Sequence, residues 1–275
     1  MQIDGTTQVY GIIGNPVEYS RSPLMHNSAF AALGQNRVYV PLQTQDVKAA
    51  IEGLRALNIR GVSVTLPHKE AVMALLDEID PVADRIGSVN TVAVRERDGK
   101  PWLYGTNTDW MGTNRALAER IELKGKRAVI LGAGGAAKAT GFGLQEEGVT
   151  VTIQSRTESR GRELAEQLNC PWISLSDEPE TDADILINAT SVGMKPNVDM
   201  SPVEPEQLSR YQVVMDIVYA PLQTKLLSDA AAAGATCING LEMLLYQGVA
   251  QFELWTGVNA PVDVMRDALY GTVDP

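Results

Sequence analysis

Short apolar runs alternate along this chain with longer stretches whose apolar residues recur every three to four positions, the periods of buried strands and amphipathic helices. Gln8 to Ile13 reads as a strand stopped at Gly14, and Pro23 opens a helix running to about Leu33. Val38 to Leu42 is a second strand. Asp46 to Leu57 is a helix, with Val47, Ala50, Ile51 and Leu54 on one face. Gly61 to Leu66 is a third strand, after which Pro67 stands where a first helical residue belongs, and helical stretches are expected from there to about Ile86. Val89 to Arg95 and Trp102 to Gly105 pair through the turn Arg97-Asp98-Gly99-Lys100. Thr108-Asp109 starts a helix reaching about Arg120.

Lys124-Gly125-Lys126 marks a join. After it, Arg127 to Ala137 reads as a buried strand, a glycine turn and a helix. Val149 to Gln154, Ala183 to Asn188, Val213 to Val218 and Ala235 to Ile238 are further strands, and Glu158 to Leu168 and Thr224 to Ala233 are helices. The chain ends in helices over Leu241 to Trp255 and Val262 to Leu269, the first with an apolar stripe of Leu241, Leu244, Leu245, Phe252 and Trp255. Strands alternating with helices imply an α/β fold with largely parallel sheets covered on both faces. The terminal helices are expected to pack back on the first unit, leaving a cleft between two domains.

The glycine turn is the strongest local motif. Gly132, Gly134 and Ala137 fit the G-x-G-x-x-G/A dinucleotide pattern. In it the first glycine makes the tight turn, the second lets backbone approach a pyrophosphate, and the third small residue lets helix and strand pack closely. Amides at the helix start then face an anion. The stretch following the next strand is Gln154-Ser155-Arg156-Thr157-Glu158-Ser159-Arg160, with no carboxylate at the strand end to accept a ribose hydroxyl and two arginines able to grip a phosphate. That favours NADP over NAD. The loop Asn188 to Met194, with Thr190 and Ser191, follows a buried strand, where open α/β sheets carry their ligands.

The 275 residues suit one large domain or two ordinary ones, and the net charge of −11 argues against a general nucleic-acid or membrane-surface binder. Cys170 and Cys237 have no metal-site spacing, and His26 and His68 are too few and too far apart to support a metal site. The first residues lack a basic segment followed by an apolar run, and no apolar run is long enough to span a bilayer, so a cytoplasmic enzyme is expected. Lys69 reads either as a surface lysine or, in the first turn of a helix after Pro67, as a cation opposing the helix dipole and so readier to exchange a proton. Asp109 reads as a helix cap or as the partner of that lysine. Ser20 and Ser22 flank Arg21 before a helix, where hydroxyl donors suit a carboxylate, and Tyr219 and Gln247 are candidates for substrate hydrogen bonds or for structural roles.

Taken in order, GNPVEYSRSPLMHN, VSVTLPHK, GSVNTV, GTNTDWMG, GAGGAAKA, SRTESR, NATSVGM, DIVYAPLQTKLL and NGLEMLLYQGVAQFELWTG resemble the shikimate dehydrogenase family over nearly the whole chain. The resemblance implies reversible NADPH-linked reduction of 3-dehydroshikimate to shikimate, in aromatic amino-acid (chorismate) biosynthesis, by a monomer or homodimer. It implies a substrate-binding catalytic domain over residues 1–112 and 241–275 and a Rossmann NADP-binding domain over 113–240. Matched position by position, it gives Ser20 and Ser22 to the substrate carboxylate and Thr65, Asn90, Asp109 and Gln247 to the ring hydroxyls and reacting oxygen. Tyr219 stands beside the substrate, and Lys69 and Asp109 form the acid/base pair. For the cofactor it gives Gly132, Ala133, Gly134, Gly135 and Ala136 to the pyrophosphate, Ser155, Arg156, Thr157 and Arg160 to the extra phosphate, Thr190 and Ser191 to the loop beside it, and Ile217 and Gly240 to the nicotinamide pocket. Two positions depart from the pattern. Ser63 and Ser155 stand where the family usually has asparagine. A quinate/shikimate dehydrogenase of broader range, a non-catalytic NADP-binding sensor and an unrelated Rossmann enzyme such as a folate dehydrogenase are the rival readings.

Overall fold

The computed structural model describes residues 3–177 and 183–271. The extremes of the expected substrate domain, 1–2 and 272–275, lie outside them. The chain forms two compact units, residues 1–108 with 247–275 and residues 109–246.

The first unit runs β1 (Gln8–Gly14), α1 (Ser22–Ala32), β2 (Arg37–Gln43), α2 (Val47–Ala56), β3 (Gly61–Val64), β4 (Glu78–Ile79), α3 (Pro81–Ile86), β5 (Thr91–Arg97) and β6 (Lys100–Thr106). Its sheet has the order β2-β1-β3-β5-β6-β4. β1 pairs parallel with β2 and β3, but β5 is antiparallel to both β3 and β6, so this sheet is mixed rather than largely parallel. The reason is local. Asp98 and Gly99 take φ +53° and +71°, the left-handed pair of a two-residue hairpin turn, which reverses the chain without a crossover helix.

Strand alternation splits the unit into two packed faces. Ile13, Val62, Val64, Val92 and Leu103 meet Ile51 and Leu54 of α2. The register puts Tyr10, Tyr39, Gly61, Ser63 and Thr91 on the other face. There Tyr10, Phe30, Tyr39 and Trp255 pack around His26, whose ring stacks on Tyr39 at 4.5 Å. Gly61 has no side chain because the Trp255 indole occupies that space.

The second unit runs α4 (Asp109–Ala118), β7 (Arg127–Leu131), α5 (Gly135–Glu146), β8 (Thr150–Ser155), α6 (Glu158–Leu168), β9 (Trp172–Ser174), β10 (Ile185–Asn188), β11 (Val213–Asp216), α7 (Lys225–Ala232) and β12 (Thr236–Ile238). All its strand pairs are parallel, in the order β12-β11-β10-β7-β8-β9. Numbered within the unit, that is the doubly wound order 3-2-1-4-5-6, with its reversal between β7 and β10. Val129, Leu131, Leu186 and Val214 pack under α7 on one face, while Ile130 meets α5 on the other. The chain closes with α8 (Gly240–Thr256), within which the two units divide, and α9 (Val262–Tyr270), which packs on α1.

One expected helix is absent. After β3 the chain turns from Leu66 to Val72, makes a short 3-10 turn over Met73–Leu75, and becomes α-helical only at Pro81. Both prolines look alike in sequence, but their preceding residues differ. The Asp80 carboxylate accepts the Val82 and Ala83 amides at 2.8 and 3.2 Å, whereas Leu66 has no group with which to cap a helix. Lys69 therefore sits in a turn and not in the first turn of a helix.

Candidate active site

In the second unit a cavity of about 340 Å³ lies at the reversal of strand order, outside the carboxyl ends of β7, β8 and β10. Of the expected cofactor residues, Gly132, Ala133, Gly134, Ser155, Arg156, Thr157, Arg160, Thr190 and Ser191 line it. Gly135 and Ala136, just inside α5, and Ile217 and Gly240 do not. Gln154, Leu175, Ala189, Val192 and Pro202 complete the wall, and of these only Leu175 and Pro202 lie outside the stretches that the sequence pattern singles out. Leu175 and Pro202 come from irregular segments beside the short strand β9 and before the 3-10 turn Pro205–Arg210, where no periodicity marks a wall.

The floor is built for an anion. Gly132 takes φ +114°, and a Cβ there would press on the Ala189 carbonyl and the Thr190 methyl, so only glycine fits. A Cβ at Gly134 or Gly135 would meet nothing within 4 Å, so the space over the turn is open. Gly134 is the N-cap of α5 and supplies no side-chain cap, which leaves the first amides of a long helix for a ligand.

At the mouth, Arg156, Thr157 and Arg160 are exposed, and among the described residues neither arginine has an ion-pair or hydrogen-bond partner. The nearby Glu158 is spent on Arg162, at 2.8 Å. Gln154, where a ribose-binding carboxylate would stand, turns its amide to the Ser174 and Asp177 carbonyls at 3.2 and 2.9 Å. Ser155 lines the cavity, but its hydroxyl accepts the Trp172 indole N–H at 3.0 Å and donates to the Thr157 carbonyl at 3.2 Å. It braces the loop, which leaves Arg156 and Arg160 as the charged groups at the mouth.

Behind the opposite wall, the Asn188 side-chain oxygen Oδ1 accepts the Thr190 amide and hydroxyl at 3.1 and 2.6 Å, pinning the start of the Thr190–Ser191 loop. Its amide nitrogen donates to the buried Asp216 carboxylate at 2.9 Å. Asp216 also accepts the Val218 amide and the Thr224 hydroxyl. Burial pushes its carboxyl up to about 6, against the pull of those three hydrogen bonds. Gly240 and Ile217 meet backbone to backbone, because a Cβ on Gly240 would overlap the Ile217 carbonyl. Tyr219 is half-buried in the loop after β11, and Asp109 is the first residue of α4.

In the first unit Ser20, Ser22, Thr65, Lys69 and Asn90 stand at one end of the sheet, beyond the carboxyl ends of β1 and β3 and before β5. Ser22 begins α1, its amide donating to the Ser20 hydroxyl at 3.3 Å, and the Arg21 guanidinium ties this loop to the Leu269 carbonyl of α9 at 3.1 Å. Gly14 leaves room for the Thr65 methyl. The Lys69 turn is held on two sides, its carbonyl accepting the Val89 amide at 2.8 Å and the buried His68 ring meeting the Thr44 carbonyl at 2.9 Å. Asn90 is buried, and its side-chain oxygen accepts the Thr108 amide at 2.8 Å, fixing the residue before Asp109. Gln247 is buried one turn before Gln251 on α8. Ser63, in place of the usual asparagine, gives its hydroxyl to Gln251.

Comparison with known proteins covers nearly the whole chain. Residues 12–92 match the family model of the shikimate dehydrogenase substrate binding domain, 115–220 that of shikimate / quinate 5-dehydrogenase, and 240–270 that of the shikimate 5'-dehydrogenase C-terminal domain. The chain is similar to the shikimate dehydrogenase (NADP(+)) of Moorella thermoacetica, 46% identical over 98% of this chain and 95% of that protein. A crystal structure of a shikimate dehydrogenase in complex with NADP+ superposes with TM-score 0.90 at 43% identity, covering 100% of this chain and 98% of the other. The shikimate 5-dehydrogenase of Thermus thermophilus, in complex with NADP(H) and shikimate, gives TM-score 0.88 at 38% identity over 96% and 99%. Among the described residues no helix is long and apolar enough to cross a membrane.

Proposed function

The chain belongs to the shikimate dehydrogenase family, and we propose that it catalyses the reversible NADPH-dependent reduction of 3-dehydroshikimate to shikimate. The observation that carries the cofactor choice is the cavity mouth, where Arg156 and Arg160 stand unpaired beside a strand end without a carboxylate. Two such guanidinium groups suit a 2′-phosphate, and an NAD ribose would find no carboxylate there. The open turn at Gly134 and Gly135 and the uncapped start of α5 fit the pyrophosphate.

Bound NADPH supplies the hydride that reduces the ring ketone. Lys69 gives the developing alkoxide its proton in reduction and removes it in oxidation. Asp109 orients the Lys69 ammonium and hydrogen-bonds the substrate. Ser20 and Ser22 hold the carboxylate, Thr65, Asn90, Asp109 and Gln247 bind the ring hydroxyls and reacting oxygen, and Tyr219 stands beside the substrate, so that one carbon is turned to the hydride donor. In this reading residues 1–112 and 241–275 bind substrate and residues 113–240 bind cofactor. The enzyme acts in the cytoplasm, as a monomer or homodimer, on a step of aromatic amino-acid (chorismate) biosynthesis.

The test is absorbance at the reduced-nicotinamide band, with shikimate or quinate offered against NADP+ or NAD+. Rapid reduction with shikimate and NADP+ alone is the expected result. Comparable rates with quinate or NAD+ would replace it with a broader quinate/shikimate dehydrogenase. No reduction with any pair, in folded protein, would leave a non-catalytic NADP-binding sensor.

A further inference from the structure

Gln251 has no exposed surface, is not itself assigned to substrate, and sits in the middle of a buried hydrogen-bond chain within the first unit that reaches Asn90. Tyr39 Oη lies 2.6 Å from Ser63 Oγ, Ser63 Oγ 2.8 Å from Gln251 Oε1, Gln251 Nε2 2.9 Å from Thr91 Oγ1, and Thr91 Oγ1 2.6 Å from Asn90 Oδ1. The direction of every link is dictated by groups that have no choice of role. The Thr108 backbone N–H can only donate, so the Asn90 atom 2.8 Å from it is the oxygen. Thr91 must then donate its proton to that oxygen and accept from Gln251. The Asn90 backbone carbonyl, which can only accept, lies 3.4 Å from the same Gln251 nitrogen and independently requires an N–H there. Gln251 thus turns its oxygen to Ser63, which must donate to it, and Ser63 accepts from Tyr39. All donors point one way, the arrangement in which each bond polarises the next.

We propose that Gln251 is a positioning residue that fixes which end of the Asn90 side chain faces the substrate. With Oδ1 held by Thr91 and Thr108, and the amide nitrogen already giving one proton to the Thr108 hydroxyl at 3.1 Å, the end of Asn90 turned to a substrate oxygen is a donor. Ser63 belongs to this chain rather than to the substrate contacts. The role in substrate binding rests on the shikimate dehydrogenase reading. The orientation of Asn90 does not.

Three variants and two readouts test it. Gln251→Met keeps the volume and removes its side-chain hydrogen bonds to Ser63, Thr91 and the Asn90 carbonyl, Thr91→Val removes the connecting hydroxyl, and Thr91→Ser restores it. We expect Gln251→Met and Thr91→Val to raise the shikimate KM about tenfold, the cost of one lost buried hydrogen bond, with NADP+ affinity by fluorescence titration unchanged and Thr91→Ser close to wild type. Shikimate KM within about twofold of wild type in both, equal loss of NADP+ affinity, or a Thr91→Ser as damaged as Thr91→Val would overturn the proposal. The second readout needs no turnover. Hydrogen exchange at the Thr108 amide should quicken about tenfold in Gln251→Met and Thr91→Val, and unchanged protection would refute the chain. A wild-type protein that does not oxidise shikimate refutes the proposed function alone, because the exchange measurement still decides the orientation of Asn90.

Discussion

The Asp216 carboxylate accepts the Thr224 hydroxyl at 2.7 Å in a setting with no access to solvent. Burial raises its pKa from 3.8 to about 6. A carboxyl with a raised folded-state pKa contributes stability that is fully present below its unfolded value and is lost as pH rises through the folded one, here between 3.8 and about 6. Asp216→Asn keeps an oxygen for Val218 and Asn188 and turns an N–H to Thr224. The variant should gain roughly 1–3 kcal/mol over the wild type at about pH 8, with the gain vanishing toward about pH 4. Urea unfolding at several pH values measures it, and a variant less stable than wild type at the alkaline end would contradict the account.

His26 has the opposite sign. Burial in the aromatic face lowers its pKa from 6.5 to about 3, opposed by Gln251, although neither ring nitrogen has a partner at hydrogen-bonding geometry. The folded state keeps the ring neutral while the unfolded chain takes up a proton, so its contribution is present above 6.5 and is lost as pH falls toward 3. Its slope is about 1.4 kcal/mol per pH unit and opposes that of Asp216 where the windows overlap. His26→Leu should therefore remove part of the acid sensitivity, and Asp216→Asn should expose more of it. The same urea titrations decide this, and parallel curves for His26→Leu and wild type between about pH 6 and 4 would rule the histidine out.

Lys69→Ala should lower kcat by about 10²–10⁴, the usual worth of a positioned acid or base, with a much smaller effect on the shikimate KM. Steady-state kinetics tests it, and unchanged turnover would remove the lysine from the chemistry.

Arg156→Ala should weaken NADP+ binding by about tenfold or more, the loss of a charge-assisted hydrogen bond, while leaving NAD+ affinity unchanged. Arg160→Ala should act in the same direction. Equal losses for both dinucleotides would argue against contact with the 2′-phosphate.

Gly161 lies where a Cβ would overlap the Trp172 indole nitrogen and the Ser155 hydroxyl. Gly161→Ala should cost about 1–3 kcal/mol, break the Trp172–Ser155 bond, and shift Trp172 emission to the red as the ring moves toward solvent. Unchanged stability and emission would show that the loop absorbs the methyl group.

Much of this fold is written in local pattern. The helix α6 has the boundaries its apolar spacing predicts, Glu158 and Leu168, because Asn169 in the left-handed region ends it sharply. The hairpin turn at Asp98-Gly99 and the glycine turn at Gly132 are legible because each demands a backbone few residues adopt. Lys69 reads as helical because a proline looks the same before a turn and before a helix, and only the capping residue distinguishes them. The strand β9 leaves no mark in the pattern, being short and half-buried along its length, with no alternation. The candidate site divides in the same way. Gly132, Arg156 and Thr190 stand in loops directly after strands, a position sequence reveals. The engagement of Ser155 by Trp172 and of Ser63 by Gln251 depends on partners 17 and 188 residues away, which no local pattern contains.

The first unit is discontinuous in sequence, and this sets an order of events during synthesis. The second unit, residues 109–246, is a single stretch and is synthesised whole before the last part of the first has been made. Until α8 and α9 emerge, Tyr10, Phe30 and Tyr39 have no Phe252 or Trp255 to cover them, and Ser63 has no Gln251 to receive its proton. The nascent chain therefore carries a naked aromatic surface at its head while its middle is already made, and a chain stopped before Phe252 leaves that surface open for good.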